Sequence, residues 1–229
     1  VCFSLHPLKN LNVAGDGGIV ATNDDEIARK VRLLRNHGLV NRDVVEMPGF
    51  NHRLASLQAI VAYWQMMWEG EGGLDWVMER RIKIAAQYDA GLIDCPMVRI
   101  PPRNPRVKQV YHTYVIRAQR RDDLVRFLLE RDIETKVHYP VPIHLQPGYA
   151  FLGFHEGDFP ETEQQAQEII SLPGHEYLNE EQLDYVIKSI KEFYRNPPGR
   201  ISETISGGNT AYRSLPVAGY SGTTRQISD

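Results

Sequence analysis

The chain has 229 residues, of which 42% are hydrophobic and 24% charged, with a formal net charge of −3. That length allows one or two globular domains with a sizeable core, and the charge gives no general attraction to nucleic acid or to an anionic membrane. No uninterrupted apolar run approaches the roughly 20 residues a spanning helix needs, and Cys2 and Cys95 form no paired motif, so a reducing, cytoplasmic setting is expected.

The chain opens on Val1-Cys2-Phe3, which reads as a short buried strand. A polar turn from Ser4 to Leu11 carries Lys9, a glycine turn follows at Gly15, Gly17 and Gly18, and Ile19-Val20-Ala21 reads as a second strand. Pro7 removes a backbone donor, and the glycines permit positive φ and close backbone approach. Asn23, with Glu26 three residues later, predicts a capped helix running to His37, with Ile27, Val31 and Leu34 on one face and Gly38 as its stop. A second helix is predicted from Leu54 to Met67. Its Leu57, Val61 and Trp64 face suits packing on a larger domain or across a dimer. The Glu69–Gly73 segment interrupts the pattern, and helix resumes from Asp75 to Leu92.

Beyond Pro101 the pattern is mixed α+β. Tyr111–Ala118 predicts a strand, Asp122–Glu130 a helix, and Glu134–Tyr139 another strand. Pro160 opens a short helix, and Asn179 with Gln182 caps a last one that carries Leu183, Val186, Ile187, Ile190 and Phe193. Residues 196–229 are rich in Gly, Ser, Thr, Pro and Arg with little periodic apolar content, which predicts a mostly disordered tail.

The chemistry centres on Lys9. A lysine held in a turn between apolar strands is partly desolvated, which favours the neutral amine that attacks carbonyls and makes Schiff bases. On spacing alone, an ordinary solvated lysine remains open.

The motifs around it narrow the choice. Phe3-Ser4 leading to Lys9-Asn10-Leu11, then Gly15-Asp16-Gly17-Gly18, then a helix closing on Leu34-Arg35-Asn36-His37-Gly38, resembles the DegT/DnrJ/EryC1/StrS sugar aminotransferases. The resemblance continues through Gly49-Phe50-Asn51-His52-Arg53-Leu54 with Gln58-Ala59, resumes at Val137–His144, and ends near Ser171-Leu172-Pro173 and the helix finishing at Tyr194. It implies an α/β fold: residues 1–74 as the C-terminal portion of the cofactor-binding large domain of a fold-type-I enzyme, and residues 75–195 as a small α+β domain. It also implies that this is the C-terminal part of a longer enzyme. Most of the large sheet, the acidic partner of the pyridine nitrogen and one phosphate loop would then lie upstream.

By the same resemblance, Lys9 is the lysine that holds pyridoxal 5'-phosphate covalently and moves the proton during transamination. A dehydratase branch of the family has histidine at this place, so Lys9 argues for amino transfer. Ser4 corresponds to a hydroxyl that bonds the cofactor phosphate. Asn51 corresponds to an amide that reaches the phosphate of a neighbouring subunit's cofactor, which implies a homodimer with shared sites. Arg53 is a candidate for the nucleotide phosphates or a substrate carboxylate, and His138 and Tyr139 for the sugar. The implied reaction converts a nucleotide-linked keto sugar to an amino sugar, with glutamate as the expected amino donor.

The alternatives are blander. Each of these residues also has a plain structural reading, as a strand-end serine, a loop asparagine, a surface arginine or a packed histidine. His138 and His144 lack a third ligand at metal-site spacing, so no metal is expected. A cofactor-free Schiff-base lysine enzyme would need a barrel's strand pattern, which is missing. A non-catalytic, subunit-binding remnant of such an aminotransferase is the competing function.

Overall fold

A computed structural model of the chain describes residues 1–196. The predicted tail, from residue 197 onward, lies outside the described residues.

The N-terminal hairpin pairs β1 (Cys2–Ser4) antiparallel with β2 (Gly18–Val20), in the register Cys2 with Val20 and Phe3 with Ile19. Both strands were expected, but not their exposure: Phe3 is 54% and Val20 46% exposed. Two strands have too few neighbours to cover their faces. Burial falls instead on the loop between them, where Leu5 and Val13 form a small cluster with Ala62, backed by Leu11 and Leu54.

α1 (Asp25–Leu34) is capped by Asp24, not by the expected Asn23. The Asp24 carboxylate accepts from the Glu26 and Ile27 amides, a geometry open only to the residue directly before the first turn. Leu33 is the buried residue of this helix, and Ile27 stands 48% exposed. α2 (Ser56–Met67) spans nearly the expected range, with its Leu57, Ile60, Tyr63 and Trp64 side chains largely exposed. The glycine-rich break leads into α3 (Leu74–Leu92).

The larger core lies further along the chain. A three-stranded antiparallel sheet has the order β3 (Val98–Arg99), β4 (Tyr114–Ala118), β5 (Ile169–Leu172). α3, α4 (Arg121–Leu129) and α6 (Glu180–Arg195) supply helical side chains to its core, and α5 (Pro160–Glu168) runs directly into β5. Alternation along β4 puts Tyr114, Ile116 and Ala118 inward. They meet Ile84, Tyr88 and Leu92 of α3, Leu124 and Leu128 of α4, and Ile190 and Phe193 of α6 in one cluster. Asn179 and Gln182 form the expected capping box of α6.

Two strand assignments change. β4 begins at Tyr114, not Tyr111, because Tyr111 takes a left-handed φ of 46° that breaks the extended run. Glu134–Tyr139 forms no strand. It makes one antiparallel rung, Lys136 with Ser171, through bonds of 3.1 and 2.7 Å. The next rung on one side would fall on Pro173, which has no amide to give.

Candidate functional site

The Lys9 turn is tied down from several directions. The Lys9 amide donates to the His6 carbonyl at 2.8 Å, the Leu8 amide to His6 Nδ1 at 3.2 Å, and the Asn12 side chain to the Lys9 carbonyl at 3.2 Å. The Leu5 amide donates to Gly17 and the Val13 amide to Leu5, closing the loop between β1 and β2. Of Gly15, Gly17 and Gly18, only Gly15 adopts positive φ, at 113°. Its tight turn sits beside Gln58 of α2, whose amide donates to the Ala14 and Asp16 carbonyls at 3.2 and 3.1 Å.

On this scaffold Lys9 is half-buried, and its Nζ lies 2.9 Å from His112 Nε2. Asn10, itself buried, donates from Nδ2 to the Val110 carbonyl at 2.7 Å, while its Oδ1 is buried without a partner. Two consecutive residues of the turn therefore grip the segment that leads into β4. Burial pushes the His112 ring below its ordinary range, and the positive charges of Lys9 and Arg81 together with His138 and His6 push it the same way. Both effects favour the neutral ring.

The other expected residues divide into two groups. Ser4 ends β1, its hydroxyl accepting from the His6 amide at 3.3 Å, within the same turn as Lys9. His138 is exposed, and its Nδ1 lies 3.0 Å from the Ser171 hydroxyl. The Tyr139 ring beside it is 73% exposed. Asn51 and Arg53 form a separate pair, with Arg53 Nε donating to Asn51 Oδ1 at 3.1 Å. Backbone bonds from His37 to Phe50, Phe50 to Leu34 and His52 to Arg35 stitch this pair to the end of α1. It makes no hydrogen bond with the Lys9 turn among the described residues.

Sequence reasoning missed His112 and Arg81. His112 lies 103 positions from Lys9, and no local spacing joins them. Arg81 of α3 is buried, binds Glu176 Oε2 through Nε and Nη2, and donates from Nη1 to the His112 carbonyl at 2.9 Å. In sequence it looks like one more charge on a helix. His144, considered for a metal, is buried against Glu163 at 3.0 Å, and no group of three potential metal ligands occurs among the described residues. No described helix is long and apolar enough to cross a membrane.

The residues present suit an aldehyde cofactor with an anionic group. A primary amine is held 2.9 Å from an imidazole nitrogen, and a hydroxyl stands on the same turn. Two hollows lie elsewhere, and neither includes Lys9. One of about 710 Å³ is lined by Asp89, Arg103 and Arg117, and one of about 1340 Å³ by Phe3, Ile19 and Val31.

Comparison with known proteins agrees. The sequence profile of the DegT/DnrJ/EryC1/StrS aminotransferase family matches residues 1–191. The chain is 42% identical over 196 residues to a pleiotropic regulatory protein of Geobacillus stearothermophilus, covering 85% of this chain and 51% of that protein. It is 39% identical over 191 residues to the dTDP-3-amino-3,4,6-trideoxy-alpha-D-glucose transaminase of Streptomyces venezuelae, covering 83% and 49%. Among solved structures, DesV of S. venezuelae superposes with a TM-score of 0.78 at 38% identity, over 85% of this chain and 51% of DesV. A Brucella abortus aminotransferase of the family gives 0.75 at 31%, with the same coverages. The chain thus spans about half the length of the relatives it matches. With its profile matched over residues 1–191, the chain belongs to the DegT/DnrJ/EryC1/StrS aminotransferases, a pyridoxal-phosphate-dependent family.

Proposed function

We propose that this chain supplies the cofactor lysine and part of the substrate site of an enzyme that transaminates a nucleotide-linked keto sugar, with glutamate as amino donor. The observation that carries the reading is Lys9, presented by a braced turn with its amine 2.9 Å from the His112 ring nitrogen. The activities named for relatives support the substrate class. They include the S. venezuelae transaminase and a UDP-2-acetamido-2-deoxy-3-oxo-D-glucuronate aminotransferase of Pseudomonas aeruginosa, 33% identical over 183 residues.

When bound, pyridoxal phosphate supplies the electron sink on which amino transfer depends. The chain's own residues then hold and move protons. Lys9 would hold the cofactor and, as a free amine, would take and return the proton moved in amino transfer. The Ser4 hydroxyl serves the phosphate from the same turn. The Asn51 amide serves the phosphate of a partner subunit's cofactor. The exposed Leu57, Ile60 and Trp64 of α2 support a homodimer with shared sites. Arg53 takes a substrate phosphate or carboxylate, and the exposed His138 and Tyr139 take the sugar. The separate hydrophobic clusters around Leu5 and around Ile116 support a division into residues 1–74 and a small domain at 75–195. Free Cys2 and Cys95 suit a cytoplasmic setting.

The test is spectroscopic. Full-length protein should take up pyridoxal phosphate with Schiff-base absorbance, and Lys9→Ala should abolish the band. Well-folded full-length protein without that band would overturn the reading.

A further inference from the structure

The backbone that carries His112 is anchored on both sides of its contact with Lys9. The His112 carbonyl is held by Arg81 Nη1 at 2.9 Å, and the Val110 carbonyl by Asn10 Nδ2 at 2.7 Å. Arg81 is itself locked to Glu176, whose own carbonyl accepts from Arg80 Nε at 3.1 Å. The imidazole is therefore aimed by α3 and by the lysine turn together, and Nε2 lies 2.9 Å from Nζ. The ionisable groups around the ring are Lys9 and His6 from the turn, Arg81 from α3, and His138 from the segment beside β5.

We propose that His112 is the proton partner of Lys9: its Nε2 takes a proton from the Lys9 ammonium and later returns it. The Nζ–H bond breaks with its electron pair left on Nζ, an Nε2–H bond forms, and one positive charge passes from lysine to imidazole. Nothing is oxidised or reduced. The step uses the His112 tautomer protonated at Nδ1, with the Nε2 lone pair facing Nζ. Lys9⁺ is one of the charges that keep His112 neutral, so the imidazolium becomes easier to form as the lysine loses its charge. The proposal deepens, and rests on, the reading of Lys9 as the cofactor lysine, since it states how that amine becomes nucleophilic.

The amine's reactivity can be measured without cofactor. In full-length protein, Lys9 is acetylated with trace acetic anhydride across pH 6 to 9 and quantified by mass spectrometry. The exposed Lys30 and Lys188 serve as internal references. His112→Phe and His112→Gln should both slow Lys9 acetylation about tenfold at pH 7, a conservative figure for a positioned proton acceptor. The reference lysines should not change. Gln keeps a hydrogen bond but takes no proton, so a wild-type rate in His112→Gln would reduce His112 to a structural contact and overturn the proposal. Unchanged acetylation in His112→Phe would do the same.

Should both variants misfold, the reciprocal measurement decides. In Lys9→Ala the His112 ring resonances should titrate at higher pH than in wild type, because a neighbouring positive charge is gone. An unmoved titration overturns the partnership. Cofactor absorbance of the same wild-type sample separates the two readings. Acetylation governed by His112 in protein that takes up no pyridoxal phosphate leaves the proton partnership standing and removes the transaminase.

Discussion

Arg81→Met tests whether the charged bracket behind His112 holds the structure together. The substitution keeps much of the aliphatic length and removes three donors. Two of them, at 2.9 and 2.8 Å, serve Glu176 Oε2, and one at 2.9 Å serves the His112 carbonyl. The side chains of Arg81 and Glu176 are 9% and 16% exposed, so the orphaned carboxylate is largely shielded from water. Breaking a buried pair costs about 3–5 kcal/mol, and the residual access of water to Glu176 argues for the lower figure, about 3 kcal/mol. With an m-value of about 3 kcal/mol/M, the urea midpoint should fall by about 1 M. Glu176→Gln alone should cost less, and the double variant should recover part of the loss, with a coupling of about 2 kcal/mol. A midpoint for Arg81→Met within about 0.2 M of wild type, or singles and double that simply add, would refute the bracket.

Gly38 sits at φ 72°, and a Cβ there would lie 1.6 Å from the Met47 carbonyl oxygen. Gly38→Ala should therefore cost at least about 2 kcal/mol in thermal or urea unfolding, since backbone and not a flexible side chain must move. It should also disturb the α1 connection that holds Asn51; a wild-type melting curve would contradict this packing. Asp89 accepts from Arg103 at 3.0 and 2.8 Å and from the Tyr114 hydroxyl at 2.7 Å. Burial pushes its carboxyl up, but these donors outweigh it and hold the group below its ordinary value of 3.8. The folded state thus binds fewer protons than the unfolded one, and the stabilisation is fully present above that value. Stability profiles of wild type and Asp89→Asn should converge as pH falls below 3.8 and through the depressed folded value. A gap that stays constant down to pH 2 would contradict the assignment.

Local chemistry explains what was legible in the sequence. The Lys9 turn, the glycine loop, the capped α6 and the proline-opened α5 depend on residues a few positions apart, and each appears where it was read. The shift of the α1 cap from Asn23 to Asp24 is a choice between two adjacent capping residues, which pattern alone does not make. The Glu134–Tyr139 segment has the composition of a strand. Strand formation also needs donors on the facing chain, and Pro173 withholds one there. The exposure of Phe3, Leu57 and Trp64 likewise depends on what stands opposite them.

The sequence by itself determined the family to which the chain belongs and the core face of α6, and it singled out Lys9 as the candidate amine. Only the tertiary structure decided what stands beside that amine. His112 reaches the lysine turn through a ring nitrogen across 103 positions of chain, and Arg81 holds the His112 carbonyl across 31. Hydrogen bonds between such distant residues arise from the packing of α3 against the strand it covers. Periodicity and capping describe one element at a time and carry no record of which elements meet.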